Sequence, residues 1–425
     1  MTTTSDLSGL FGPDRVHRRL YTDAAIFDIE MTRVFAASWC FVAHESQVPE
    51  VGDYVTTEVG RRPVIVTRST DGSVNALLNR CTHRGTLLVH EGAGCAKRFS
   101  CPYHGWTFAN DGRIVGLPFP ADHPASAAGN RDHLDLGRLT TATYRGFVFG
   151  TLHPDPQPLA EWLGAASEWF DLLVDRHPGG ELRLAPGVQA IEFAGNWKLS
   201  WDNAADGIHA TFAHHSYNVL GRSNSTDTVL DRDAAVSPML ARALGNGHMV
   251  VDQRPGIPHG PWATMRPTPF SEQLTTAFLE RGEAASDLDL ATGSMVNLSL
   301  FPNLLFVGNQ LLVVEPVAVD RTRLRLFLVT APDAAPEIDQ LRLRVDEDFV
   351  SFGTPDDLDM FERVQAGLSI PEMEWIDVSR GLIDGRDIAD DDGVVTGPIT
   401  SEAPQRGYLA KYASLLTTEV TTRVR

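Results

Sequence analysis

Two short stretches near the front of the chain, CTH at Cys81–His83 and CPYH at Cys101–His104, each offer one thiol and one imidazole, with seventeen residues between them. Two Cys and two His can close a tetrahedral zinc site. They can also hold a [2Fe–2S] cluster in which one iron takes both thiolates and the other both imidazoles. Neutral His ligands then raise the potential well above that of an all-Cys cluster. Iron–sulfur is the better fit. Each loop supplies one ligand of each kind, as a cluster gripped between two loops requires. Gly105 and Trp106 follow the second pair, allowing close backbone approach to sulfur and shielding it from water. Cys95 and His90, between the ligands, read as structural, as do Cys40 and His44 before them.

A cluster that delivers electrons needs a receiver. NWKLSWDNAADGIHATFAHHSY (196–217) brings Asp206, His209, His214 and His215 close in sequence. Two imidazoles and a carboxylate on one face of an iron leave positions open for O2 beside a substrate. His209 and His214 are five residues apart, roughly 140° around a straight helix. They can share an ion only where the helix is distorted or ends near Ala213. A buried helix with hydrogen-bonded polar residues is the plain alternative. Further on, FGTPDDLDMFERVQAGL (352–368) carries Asp356 and Asp357. Local logic there makes Thr354 an N-cap, Pro355 the first helical residue and Asp357 the closing acid of a capping box.

The elements that must position these groups differ in texture. DAAIFDIEMTRVFAASW (23–39) has helical spacing in Ile26, Ile29, Val34 and Phe35. DYVTTEVGRRPVIVTRSTDGSVNALLN then alternates, rich in Val and Thr, with Asp71-Gly72 as a hairpin turn and a second turn at Asn110-Asp111-Gly112. Residues 40–155 therefore read as a small antiparallel β domain with the ligand pairs on its loops. HPDPQP (153–158) is a linker. A helix follows, with Leu159, Trp162, Leu163, Ala166, Trp169, Phe170 and Leu173 on one face. Strands such as RTRLRLFLV (321–329) and helices such as PEIDQLRLRVDEDFVSF (336–352) make the remainder α+β. Three parts are expected: a helical segment 1–39 packing on the larger domain, the β domain 40–155, and the catalytic domain 156–425. DGRDIADDDG (384–393) lacks calcium-loop spacing and reads as a solvated turn.

Composition bounds the function. The 425 residues carry a formal charge of -19, with 43% hydrophobic and 21% charged residues, ordinary for a globular protein. That charge argues against nucleic acid and anionic membrane as partners. Four cysteines are too few for a disulfide scaffold, and no apolar run reaches the roughly 20 residues of a membrane helix. The N-terminus has no export pattern, so a cytoplasmic enzyme is expected.

CTHRG and CPYHGW together resemble the Rieske signature of aromatic ring-hydroxylating oxygenases, and NWKL…DN..DG.H….H resembles the mononuclear-iron motif of the same family. The likeness extends over nearly the whole chain, through FDIEMTRVFAASWCFVAHESQVPEVGDY, YRGFVFGTL and SEAPQRGYLAKYASLL. Among branches, AHESQVPE, DNAADGIHATFAHHSY and GTPDDLDMF look most like the large (alpha) subunits of benzoate and toluate dioxygenases. The resemblance implies a Rieske domain set near the N-terminus of a larger catalytic domain with a central antiparallel sheet and helices. It implies a [2Fe–2S] cluster on Cys81, His83, Cys101 and His104. It also implies mononuclear iron(II) on His209, His214 and Asp357, with His215 and Asp356 as the competing ligands. Asp206 is then not a ligand; it joins His209 to His104 of a neighbouring subunit, because clusters and irons of one chain lie too far apart.

Further implications concern partners and substrate. Electrons come from NADH through a reductase, with or without a ferredoxin, and Arg84 or Lys97 supplies local positive charge for docking. The assembly is a homotrimer of alpha chains, with a beta subunit as α3β3. The reaction is cis-dihydroxylation of an aromatic ring, an aromatic carboxylate of the benzoate class, with Asn203, Ala210 and Phe212 lining the pocket. Monohydroxylation and a neutral aromatic substrate are the alternatives. An iron–sulfur carrier without mononuclear iron, or a zinc-stabilised binding protein, would be another class. One departure bears on substrate. NQLLVVEPVAVDRT places Leu312 and Glu315 where that branch tends to carry arginines. If such an arginine holds a carboxylate, this chain's substrate need not be an acid.

Overall fold

A computed structural model describes residues 7–123, 131–214, 238–255, 295–333, 336–383 and 385–418, with Gln273, Thr276 and Glu280. Two compact units emerge: one joins the residues up to Ile29 with Ala160–Thr418, the other runs from Glu30 to Leu159. The first opens with β1 (Arg15–His17), whose Val16 lies opposite Ile376, followed by α1 (Arg19–Thr22) and α2 (Ala24–Glu30). The single helix expected over 23–39 does not run its full length. After Glu30 the backbone widens into an i→i+5 turn over Met31–Phe35, where β-branched Thr32 and Val34 weaken the α-helix, and it becomes strand at Cys40.

Alternating Val and Thr residues build the smaller unit from short antiparallel strands: β2 (Cys40–His44), β3 (Asp53–Val59), β4 (Arg62–Arg68), β5 (Val74–Leu78), β6 (Ala93–Cys95), β7 (Arg98–Ser100), β8 (Thr107–Ala109), β9 (Ile114–Gly116), β10 (Thr140–Tyr144) and β11 (Phe147–Thr151). They form three sheets, β5-β4-β3-β6, β7-β8-β9 and β10-β11-β2. Both expected hairpin turns are present, and each uses a glycine in the left-handed region, Gly72 at φ 85° and Gly112 at φ 88°. Tyr54, Ile65, Leu77, Phe99, Phe108 and Leu136 pack into one core with Cys81, Cys101 and Trp106. The thiols therefore sit on loops but face an apolar interior.

In the larger unit, the helix expected after residue 158 is two: α3 (Leu159–Leu163) and α4 (Ala166–Asp175). Gly164, at φ 49°, breaks it. The remaining strands are β12 (Arg183–Leu184), β13 (Gln189–Phe193), β14 (Leu240–Ala243), β15 (Met249–Asp252), β16 (Val296–Leu300), β17 (Leu304–Val307), β18 (Gln310–Ala318), β19 (Arg321–Thr330), β20 (Trp375–Asp377), β21 (Ile388–Ala389) and β22 (Val395–Pro398). All but β20, which pairs with β1, join one antiparallel sheet in the order β12-β19-β18-β17-β16-β15-β14-β22-β21, with β13 also on β19. Its helices are α5 (Lys198–Ala204), α6 (His209–Phe212), α7 (Pro336–Asp348), α8 (Thr354–Leu368) and α9 (Ala403–Thr417). Fully buried Tyr408, Tyr412 and Leu416 fix α9, which packs on β14, β15 and β22.

One local expectation fails at α8. An i→i+5 turn over Phe349–Gly353 carries α7 into α8 without a break, and Gly353 keeps helical φ/ψ of -82° and -50°. No side chain caps the start of α8. The preceding turn already supplies acceptors for those N–H groups, so Thr354 and Asp357 are not needed as a capping box.

Candidate metal centres

The two Cys–His loops are built alike. The Cys81 N–H bonds to the Thr86 carbonyl at 2.8 Å and the Gly85 N–H to the Cys81 carbonyl at 3.0 Å. On the second loop, Cys101 N–H reaches the Trp106 carbonyl at 2.7 Å and Gly105 N–H the Cys101 carbonyl at 3.0 Å. Gly85 and Gly105 both take positive φ, 82° and 71°, which explains a glycine four residues after each cysteine. Asn79 pins the first loop, accepting from the Leu88 and Val89 amides at 3.0 Å each. The two imidazoles meet with ring centroids 4.7 Å apart; Trp106 stacks flat on His83 at 4.8 Å, and Tyr103 covers His104 at 3.7 Å.

This arrangement fits the cluster. Cys81 and Cys101 are buried and unbridged, and Nδ1 of His104 is buried without a hydrogen-bond partner, the state of a nitrogen made to bind metal. Burial pushes both thiols up. At Cys101 the amides of Tyr103 and His104 outweigh it and hold the thiol below its usual range, while at Cys81 burial wins. Amides donating to sulfur are what tunes an iron–sulfur centre. Cys40 and His44 are structural: the Cys40 thiol donates to the Phe35 carbonyl and His44 Nδ1 accepts from the Ser46 amide. Cys95 and His90 are exposed rather than packed.

In the larger unit α6 is only four residues long, so the chain leaves the helix before His214. That turn brings His214 beside His209, ring centroids 5.3 Å apart. Among the described residues, only His209, His214 and Asp357 bring three donor atoms within 4.8 Å of one another. Oδ1 of Asp357 lies 3.2 Å from Nε2 of His214 and 3.6 Å from Nε2 of His209. Each imidazole is held from behind through Nδ1, His209 by the Asp206 main-chain carbonyl at 2.9 Å and His214 by Asp356 Oδ2 at 3.4 Å. With Nδ1 so engaged, both rings turn Nε2 toward Asp357, the presentation that metal-binding histidines require. Burial lowers the proton affinity of His214, but the carboxylates of Asp357 and Asp356 raise it above its ordinary value. This pull is what an iron would replace.

Asp356, weighed as a ligand from the sequence, lies on the Nδ1 side of His214, away from the gathered donors. His215 lies outside the described residues. Asn203 turns its amide to Asp357 Oδ1 at 3.2 Å, Ala210 is half-buried, and Phe212 is 71% exposed. Asp206 caps α6, accepting from the amides of Ile208 and His209 at 2.7 and 2.8 Å, and its other oxygen meets Arg380 at 2.9 Å. Burial would raise the Asp206 carboxyl; His209, the Ile208 amide and Arg380 hold it well below the usual range. Arg380, from a loop far along the chain, has no signal near residue 206. Phe349, whose ring stands edge-on to His214 at 5.6 Å, was equally hidden, because the wide turn that aims it has no sequence signature.

Glu315 faces Arg323 across the sheet and pairs with Arg325 at 3.3 Å and Arg323 at 3.7 Å, so its buried charge is met within β18 and β19. Leu312, one strand face over, packs opposite Leu305 and Leu326.

Comparison with known proteins agrees with this chemistry. Residues 38–133 match the Rieske [2Fe-2S] domain and residues 183–417 the ring hydroxylating alpha subunit catalytic domain. The chain is 35% identical to the 2-halobenzoate 1,2-dioxygenase large subunit of Burkholderia cepacia, over 87% of this chain and 80% of that one. It is 35% identical to toluate 1,2-dioxygenase subunit alpha of Pseudomonas putida, over 86% and 81%. Naphthalene 1,2-dioxygenase with indole bound shares the fold, with a TM-score of 0.79 at 24% identity over 97% of this chain and 93% of that one. The chain belongs to the alpha subunits of aromatic ring-hydroxylating dioxygenases, oxidoreductases that carry a Rieske [2Fe–2S] cluster and a mononuclear iron.

Proposed function

We propose that this chain is the terminal oxygenase component that cis-dihydroxylates an aromatic carboxylate of the benzoate class in the cytoplasm, with NADH-derived electrons delivered by a reductase. The observation that carries the oxygenase reading is the convergence of His209, His214 and Asp357 on one point. The carboxylate class is supported by relatives whose names specify 2-halobenzoate, toluate and anthranilate. Iron held there would supply O2 activation beside the substrate, and a cluster held by Cys81, His83, Cys101 and His104 would supply single electrons.

The protein's part is positioning. The Asp206 carbonyl and Asp356 keep both imidazoles presenting Nε2, Asn203 fixes the Asp357 oxygen, and Phe349 walls one side of His214. Asn203 thus also serves the Asp357 carboxylate, and Asn203, Ala210 and Phe212 remain the proposed lining. Asp206 is proposed to couple His209 to His104 of a neighbouring copy in a homotrimer, with a beta subunit as α3β3. Arg380 already holds one Asp206 oxygen, so the neighbour's imidazole would share that oxygen with it.

A second reading, a neutral aromatic substrate, is favoured by Leu312 and by Glu315, whose own arginines are consumed within the sheet. The deciding test is oxygen uptake with product mass, using purified protein and an electron donor. Benzoate, anthranilate, salicylate and phthalates are set against toluene, aniline and naphthalene. Acids gaining two oxygens uphold the proposal; turnover of neutral rings alone replaces it with the second reading. Iron and sulfide content separate the other classes: about three irons and two sulfides per chain for the oxygenase, two and two for a carrier.

A further inference from the structure

Helix α5, which carries Asn203, is seven residues long and has no side-chain cap at its start. A helix this short is marginal alone, so its orientation is set by what it packs against. The carboxylate of Asp202 accepts from two phenols that come from opposite ends of the chain. Tyr21 of α1 donates to Oδ2 at 2.9 Å, and Tyr408 of α9 donates to Oδ1. Both rings are buried. Gln405, also on α9, donates to the Asp202 main-chain oxygen at 3.1 Å. Gln365 of α8 accepts from the Asn196 amide at 3.0 Å and donates to the Tyr21 carbonyl at 3.2 Å. One side chain thereby ties α8, the entry to α5 and the N-terminal segment together.

These pins bear on the iron site through helix geometry. Consecutive side chains on a helix point about 100° apart. With Asp202 fixed on the phenols, Asn203 is turned toward α8, where its amide meets Oδ1 of Asp357 at 3.2 Å. Gln365 lies two turns beyond Asp357 on the same helix, roughly 12 Å along it. α5 and α8 are thus joined twice, by Asn203 on Asp357 and by Asn196 on Gln365. A rotation of α5 about its axis would draw the Asn203 amide off the carboxylate.

We propose that Tyr21 and Tyr408 are positioning residues for the iron site: through Asp202 they set the rotation of α5, and so the hold of Asn203 on Asp357. This rests on the oxygenase reading, in which Asp357 binds iron. The N-terminal segment then has a part in a site whose ligands all lie beyond residue 200. A carboxylate suits the purpose, since each of its two oxygens accepts from one phenol, whereas an amide would present N–H groups to one of them.

The test follows iron rather than turnover, in the intact, metal-loaded protein. An excess of iron(II) chelator is added and the rate of iron release is recorded, with the absorbance of the cluster as the check that the smaller unit is intact. Y21F and Y408F should each release the mononuclear iron several-fold faster than wild type. In the N203A background Y21F should add nothing, because the link through which it acts is already gone. Equal rates in wild type and Y21F overturn the proposal. So does the same acceleration by Y21F with and without Asn203, which would make Tyr21 a general support of the fold. Only about two irons per chain in loaded wild type would overturn the oxygenase reading and this proposal together, whereas about three irons with unmoved rates overturns the positioning alone. Should Y408F not fold, the cycle of Y21F and N203A decides.

Discussion

Asn203 holds Oδ1 of Asp357 from 3.2 Å, the same oxygen that faces Nε2 of His214 and of His209. An amide on one side of a carboxylate oxygen fixes the rotamer and leaves the remaining lone pair to the metal. N203A keeps all three ligands but frees that rotamer, so iron at this centre should bind about 10–100-fold more weakly. D357A should lower iron from about three to about two per chain while sulfide stays at about two. Loss of all iron and sulfide together in D357A would show unfolding rather than an emptied site.

Asp356 and Asp357 are neighbours with opposite duties. Asp357 faces the Nε2 atoms, whereas Asp356 sits behind His214 on Nδ1. D356N retains an oxygen acceptor for that N–H and should keep its iron. D356A should release iron to a chelator several-fold faster than wild type, because the ring loses its rear support. The assignment is reversed if D356N empties the site as completely as D357N does.

How much of this was legible beforehand follows from where each constraint lies. The two matching loops were readable because Cys, His and the positive-φ Gly85 and Gly105 fall within five residues of one another. The five-residue gap lets His209 and His214 share an ion only where the helix is distorted or ends between them, and α6 does end at Phe212. The role of Asp356 was not readable. Thr354-Pro355 carries a good capping signal, and only the turn over Phe349–Gly353 makes the cap redundant. Arg380 reaches Asp206 from 174 residues away, and no local pattern encodes a contact of that kind. The long helix after the linker misled for a simpler reason: a single Gly164 interrupts an otherwise regular apolar stripe.

Asp206 gives His209 its backbone carbonyl and gives α6 its carboxylate cap, and these parts separate by mutation. D206A keeps the carbonyl, so His209 stays oriented and both metals should be retained. Losing the cap should cost about 1 kcal/mol locally. If the carboxylate couples two subunits, turnover should nevertheless collapse in D206A while a reductant still reduces the cluster. Near-normal turnover with full metal content would remove Asp206 from the electron path.

Asp202 lies four residues before Asp206, accepting hydrogen bonds from Tyr21 at 2.9 Å and from Tyr408. Burial pushes its carboxyl to about 7, against the pull of the two phenols and Lys198. Between the unfolded value of 3.8 and about 7, the folded chain holds a proton that the unfolded chain releases. The unfolded state therefore binds fewer protons in that window, and stability falls as pH rises through it, levelling off above about 7. D202N cannot titrate and lacks this slope, whatever constant offset its amide imposes on the two tyrosines. The melting temperature of wild type minus that of D202N should therefore shrink steadily from pH 5 to pH 7 and then stay level. A difference that stays level from pH 5 to pH 7 would mean that Asp202 is ionised throughout the window, its charge held by the two phenols and Lys198 rather than by a proton.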